Sequence, residues 1–212
     1  MNMTKSVLMG AALVAAMATQ ANAADVIPYA NAGTYNTATY SFTAATTGDV
    51  MAYFVGGAEA SYENEMGLLV NGVQTSAGFG LNNHTSVVGQ SFNLGSVNAG
   101  DTLTLVMKNL TLGAQVYSDP SLNAAYDAVG ETAHNHVYSA LYTATSPVFG
   151  SIPSGIYVGF EDLPFPGADY NYNDESFVFT NVAVAVPEPQ AYALLLAGLC
   201  VAGVMTRRQS RR

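Results

Sequence analysis

The sequence predicts an all-β protein built as a single β-sandwich or jelly-roll domain, and three observations predict it. Thr, Val, Tyr, Phe, Gly and Asn dominate the middle of the chain, and these residues favour strands and tight turns over helix. Eight short runs there read as strands. Turn signals at Gly56-Gly57, Asn71-Gly72 and Ala99-Gly100-Asp101 punctuate them, the pattern of a sandwich.

In order, the runs are 37–43, then 50–55, which stops at Gly56-Gly57, then 67–70. Asn71-Gly72 follows that third run and predicts a hairpin, since both residues tolerate positive φ. The fourth run is 88–94. The fifth, 102–108, is the clearest: Leu103, Leu105 and Met107 alternate with Thr102, Thr104 and Lys108, so the first set faces a core and the second faces out. Residues 119–131 read as a long loop with a helical turn. The last three runs are 137–143, 156–160 and 176–184, the final one carrying Phe177-Val178-Phe179.

The two ends have other purposes. Lys5, an apolar run over 7–17 and the small triplet Ala21-Asn22-Ala23 form the three parts of a secretory signal, cut by signal peptidase between Ala23 and Ala24. The apolar run is too short to span a bilayer. At the other end come Pro187-Glu188-Pro189, an uncharged apolar stretch over 191–206, and Arg207, Arg208, Arg211 and Arg212. As a helix that stretch is about 24 Å long, short of the ~30 Å hydrocarbon core. The arginines would stay on the cytoplasmic side.

This tail resembles the PEP-CTERM sorting signal of Gram-negative bacteria. The resemblance implies recognition by an exosortase near Pro187-Glu188-Pro189 and an inner-membrane intermediate held by a transmembrane helix over 191–206. It further implies a final place on the outer surface or in the extracellular matrix, beside biofilm exopolysaccharide. The organisation is then a signal over 1–23, a β-sandwich domain over 24–185 and a sorting tail over 186–212.

Fourteen of the fifteen acidic residues lie in the central region against one basic residue, Lys108, for a formal charge of −13. The whole-chain value of −9 conceals this, because the other basic residues sit in the terminal signals. Such a surface repels nucleic acid and attracts divalent cations. The single cysteine, Cys200, is in the tail, so the central domain has no disulfide.

The densest polar stretch runs through Glu161 and Asp162 and then Asp169, Tyr170, Asn171, Tyr172, Asn173, Asp174 and Glu175. Calcium takes six to eight oxygen ligands, and Glu161, Asp162, Asp169, Asn171, Asn173 and Asp174 supply them. On an extended segment Asp169, Asn171 and Asn173 would share one face and the two tyrosines the other. The stretch is not an EF-hand: Asp174 stands where the loop needs Gly, and Thr180 where it needs Glu. The competing reading has these Asp and Asn residues capping turns with no ion. A smaller acidic group, Glu59, Glu63, Asn64 and Glu65, could face the first and share an ion, with Glu59 and Glu65 as further ligands.

Gly159-Phe160-Glu161-Asp162-Leu163 followed by Asp169 to Asp174 also resembles a group of secreted bacterial domains of unknown function, which share this ending before a last strand. That resemblance implies a β-sandwich and calcium binding, and it brings no activity. His134 and His136 share one face of a strand, but zinc needs three or four protein ligands, so they read as an exposed turn. No Gly-x-Ser-x-Gly elbow is present, and the adjacent Glu161 and Asp162 would point to opposite faces of a strand, unlike a glycosidase pair. The sequence therefore points to a non-catalytic surface or matrix protein. The alternative is a carbohydrate-binding module using Tyr170 and Tyr172, with a secreted hydrolase behind it.

Overall fold

The computed structural model describes residues 29–57, 60–128, 132–144 and 152–185. The signal with Ala23 and Ala24, the residue Glu59, the motif Pro187-Glu188-Pro189 and the expected helix over 191–206 lie outside the described residues. Among the described residues no helix is long and apolar enough to cross a membrane.

Among the described residues, eleven strands make two antiparallel sheets: β1 (Ser41–Ala44), β2 (Gly48–Gly56), β3 (Asn64–Val70), β4 (Val73–Gln74), β5 (Ser91–Val97), β6 (Thr102–Asn109), β7 (Ala114–Tyr117), β8 (Val137–Tyr142), β9 (Gly155–Phe160), β10 (Glu175–Thr180) and β11 (Val182–Ala185). One sheet runs β11-β1-β6-β3-β4, with β7 also paired to β6. The other runs β5-β2-β10-β9-β8. The fold is the predicted all-β sandwich, and all eight expected runs contribute strands.

The core forms where the alternating faces meet. Phe42, Met66, Leu68, Leu103, Leu105 and Met107 from the first sheet pack with Val50, Phe54, Val158, Phe160, Phe177 and Phe179 from the second. Each buried side chain of this size contributes about 1.5–3 kcal/mol. Leu103, Leu105 and Met107 face the core as their period requires, but Thr104 on the other face is buried too rather than exposed. Lys108 points outward, its ammonium 5.3 Å from the centre of the Phe79 ring.

Two turns explain the topology. Asn71 (φ 50°) and Gly72 (φ 81°) close the β3–β4 hairpin, as their sequence predicts. Asn181 (φ 61°) splits the expected run 176–184 into β10 and β11, which belong to different sheets. Its Oδ1 accepts from the Thr46 backbone N–H at 2.8 Å and the Thr46 hydroxyl at 2.7 Å, and this fixes the corner. The expected loop over 119–131 holds a 3-10 turn at Pro120–Ala125, capped by Asp119 accepting from Ser121 N–H.

Candidate metal centre

Strand register gathers the polar residues at one end of the sandwich. The end of β9 meets the start of β10 at Phe160↔Glu175 and the start of β8 at Phe160↔Val137, while Asn64↔Asn109 joins β3 and β6. Beyond Phe160 the chain continues as Glu161-Asp162 and makes a twelve-residue excursion to Asp174. Two hydrogen bonds close that excursion. Asp174 N–H donates to Phe160 O at 3.1 Å, and Asp162 N–H donates to Asp174 Oδ2 at 2.8 Å.

The result places one carboxylate oxygen each of Glu161, Asp162 and Asp174 within 4.8 Å of one another. Glu161 and Asp162 are buried, at 0% and 2% exposed, and Asp174 is half-buried. Glu161 accepts from Leu163 N–H at 3.3 Å and Tyr170 N–H at 2.9 Å. Asp162 Oδ2 accepts from Asn64 Nδ2 at 2.7 Å, so the cluster is tied to the opposite sheet through β3. The Asp162 carbonyl accepts from the Tyr126 hydroxyl and from Asn109 Nδ2.

Little positive charge balances these groups. Lys108 is the one lysine or arginine among the described residues, and it is engaged with Phe79. The charge of His84, bonded to Ala60 O at 2.8 Å, lowers the Asp162 pKa. Burial pushes the Glu161 carboxyl up to about 7, and the charge of Asp169 adds to it. Burial, then the charges of Asp162 and Glu161, push Asp174 up to about 9. Burial raises Asp162 against the hydrogen bond from Asn64. Glu175, wholly buried and beside Asp162 and Glu65, is raised well above its ordinary value.

The sequence-expected residues fall into two groups. Glu161, Asp162 and Asp174 come together, and Asp169 acts on Glu161. Asp169, Asn171 and Asn173 do not alternate on an extended segment, because Tyr170 (φ 61°) and Tyr172 (φ 54°) are left-handed. They form a chain of side-chain turns instead: Asn171 N–H donates to Asp169 Oδ1 at 3.1 Å, and Asn173 N–H to Asn171 Oδ1 at 2.9 Å. Asn64 approaches Asp162, whereas Glu65 pairs across the ladder with Lys108.

Sequence reasoning missed the support beneath this centre. His136 is 0% exposed, not part of an exposed turn. Its Nδ1 is 3.0 Å from Glu161 O and its Nε2 is 3.0 Å from Asp127 Oδ1. Burial would raise the Asp127 carboxyl, but hydrogen bonds from His136, Phe165 N–H and His134 N–H, with the His136 charge, hold it at about 2. The His134 ring stacks on Phe165 at 4.1 Å. Nothing in the local pattern around Asp127 marks it, because its partners are brought to it by the register of β8 and β9.

A sandwich closed at one end by buried carboxylates defines the class: an all-β domain with a candidate cation centre. From the last residue of β11 onward, residues 185–212 match the PEP-CTERM protein-sorting motif. The match supports a PEP-CTERM protein, exported through the membrane and recognised by an exosortase during processing. No curated protein and no solved structure matches the chain.

Proposed function

We propose that the chain is a non-catalytic protein of the outer cell surface or exopolysaccharide matrix, with a calcium ion locking one end of its sandwich. The carrying observation is the trio Glu161, Asp162 and Asp174, gathered within 4.8 Å with no lysine or arginine beside it. Bringing like charges together under cover is costly unless a cation balances them. A bound ion would neutralise them and join the β9–β10 excursion to β3 through the Asp162–Asn64 bond. Burial favours this reading over hydrolysis: an ion reaches carboxylates that are 0–2% exposed, whereas a polysaccharide bond does not.

The same geometry speaks against a tyrosine platform for sugar. Tyr172 is 1% exposed and its hydroxyl accepts from Asn36 N–H at 2.9 Å. Tyr170 packs against Phe165 and Tyr35.

Thermal unfolding of the exported chain, purified in detergent, tests the ion. Calcium should raise the midpoint by several degrees over chelator by mass action, and an unchanged midpoint would remove calcium from the account. Replacing Pro187 and Glu188 by alanine should leave the chain unprocessed in the membrane fraction; normal processing would remove the sorting role of that motif.

A further inference from the structure

We infer that this end of the sandwich holds a second, inner cation between the two sheets, seated by Glu175, Asn64 and Asp162. The inference rests on the cation reading above and adds a site to it. Glu175 opens β10, where Phe177 and Phe179 face the core, so the alternation of the strand sends its carboxylate inward as well. Asn64 opens β3, where Met66 and Leu68 do the same.

Both side chains are 0% exposed. Neither Glu175 carboxylate oxygen has a hydrogen-bond partner, and neither does Asn64 Oδ1. Buried polar atoms are nearly always satisfied, and three acceptor oxygens at one end of an apolar core share one kind of missing partner, a cation. Asn64 is anchored beside Asp162, its Nδ2 donating to Asp162 Oδ2 at 2.7 Å, which leaves its Oδ1 as the free acceptor. Glu175 lies in the field of Asp162 and Glu65.

Charge favours two ions over one. Ionised, the buried Glu161, Asp162 and Glu175 and the half-buried Asp174 carry four negative charges, Asp169 being exposed to solvent. One divalent ion leaves an excess of two beneath the surface, and two leave none. Asp162 is the shared ligand, one carboxylate oxygen facing each ion, since calcium takes carboxylates through one oxygen or two. The ligand class is a divalent hard cation, and its inner position explains why Asn64, from the far sheet, belongs to the centre.

Equilibrium dialysis of the exported chain against radiolabelled calcium tests this. Wild type should bind two ions per chain, and Glu175→Gln should bind one, or the second at least tenfold more weakly. One ion per chain in wild type, a count that needs no variant, overturns the inner site while leaving the outer one standing. Equal binding by wild type and Glu175→Gln also overturns it and marks Glu175 as a protonated carboxyl. No calcium bound at all overturns both readings. Asn64→Asp, which adds a charge at the inner position, should tighten the second ion.

Discussion

Stripped of cations, the domain should lose stability as pH rises from about 5 to about 9. The sign follows from the buried carboxyls. Glu161 is raised from 4.5 to about 7, so between those values the folded state binds a proton that the unfolded chain has released. Stability falls with pH wherever the folded state holds more protons. It is fully present below about 4.5 and is lost as pH climbs through about 7 for Glu161; for Asp174 the loss continues to about 9. At ~1.4 kcal/mol per pH unit of difference, Glu161 alone accounts for about 3 kcal/mol. That is a large part of the ~5–15 kcal/mol that holds a typical domain. For a domain of this size it corresponds to a fall in midpoint of roughly 6–12 °C. Saturating calcium, by taking the place of the protons, should flatten the profile. The assay is circular dichroism melting in chelator across this range, repeated with calcium. A midpoint that stays constant or rises with pH in chelator would refute the reasoning.

Other outcomes follow from single contacts. Asp127→Ala removes the acceptor for His136 and for the Phe165 and His134 N–H groups and should cost about 3–5 kcal/mol by denaturant unfolding, since it orphans several buried donors. The same carboxylate, held at about 2, stabilises the fold above its ordinary value of 3.8, and that stability should fade as pH drops from about 4 toward 2. Gly159→Ala would drive a Cβ into Tyr172 O, so the excursion between β9 and β10 must shift; a lower midpoint is expected, with weaker calcium binding if the proposed centre holds the ion. Asn181→Ala should cost about 1–2 kcal/mol through the lost Thr46 hydrogen bonds and the left-handed φ, while Asn181→Gly should cost less.

Much of the fold is legible because strand period and turn chemistry are local. Leu103, Leu105 and Met107 announce their face, and Asn71-Gly72 announces its hairpin. The break at Asn181 was hidden, since Phe177 to Val184 is one continuous β-favouring run and only a left-handed asparagine divides it. The strands β4 and β7 escaped notice for a different reason: two and four residues long, they exist through their pairing with β3 and β6. The centre was legible as an acidic stretch, but its geometry was not. Asp169 and Asn171 accept from the backbone N–H two residues on, which curls the segment and forbids the strand alternation. Asp127, Asn109 and Tyr126 join through register, at sequence distances no local pattern spans.

Isothermal titration of calcium into the exported chain at pH 7.5, run in two buffers of different ionisation heat, tests the central claim most directly. Carboxyls raised by burial must give up their protons to a cation. The account predicts saturable binding with net proton release, seen as a buffer-dependent heat that shrinks in Asp174→Asn. No saturable heat, or a heat identical in both buffers and unchanged in Asp174→Asn, would contradict it.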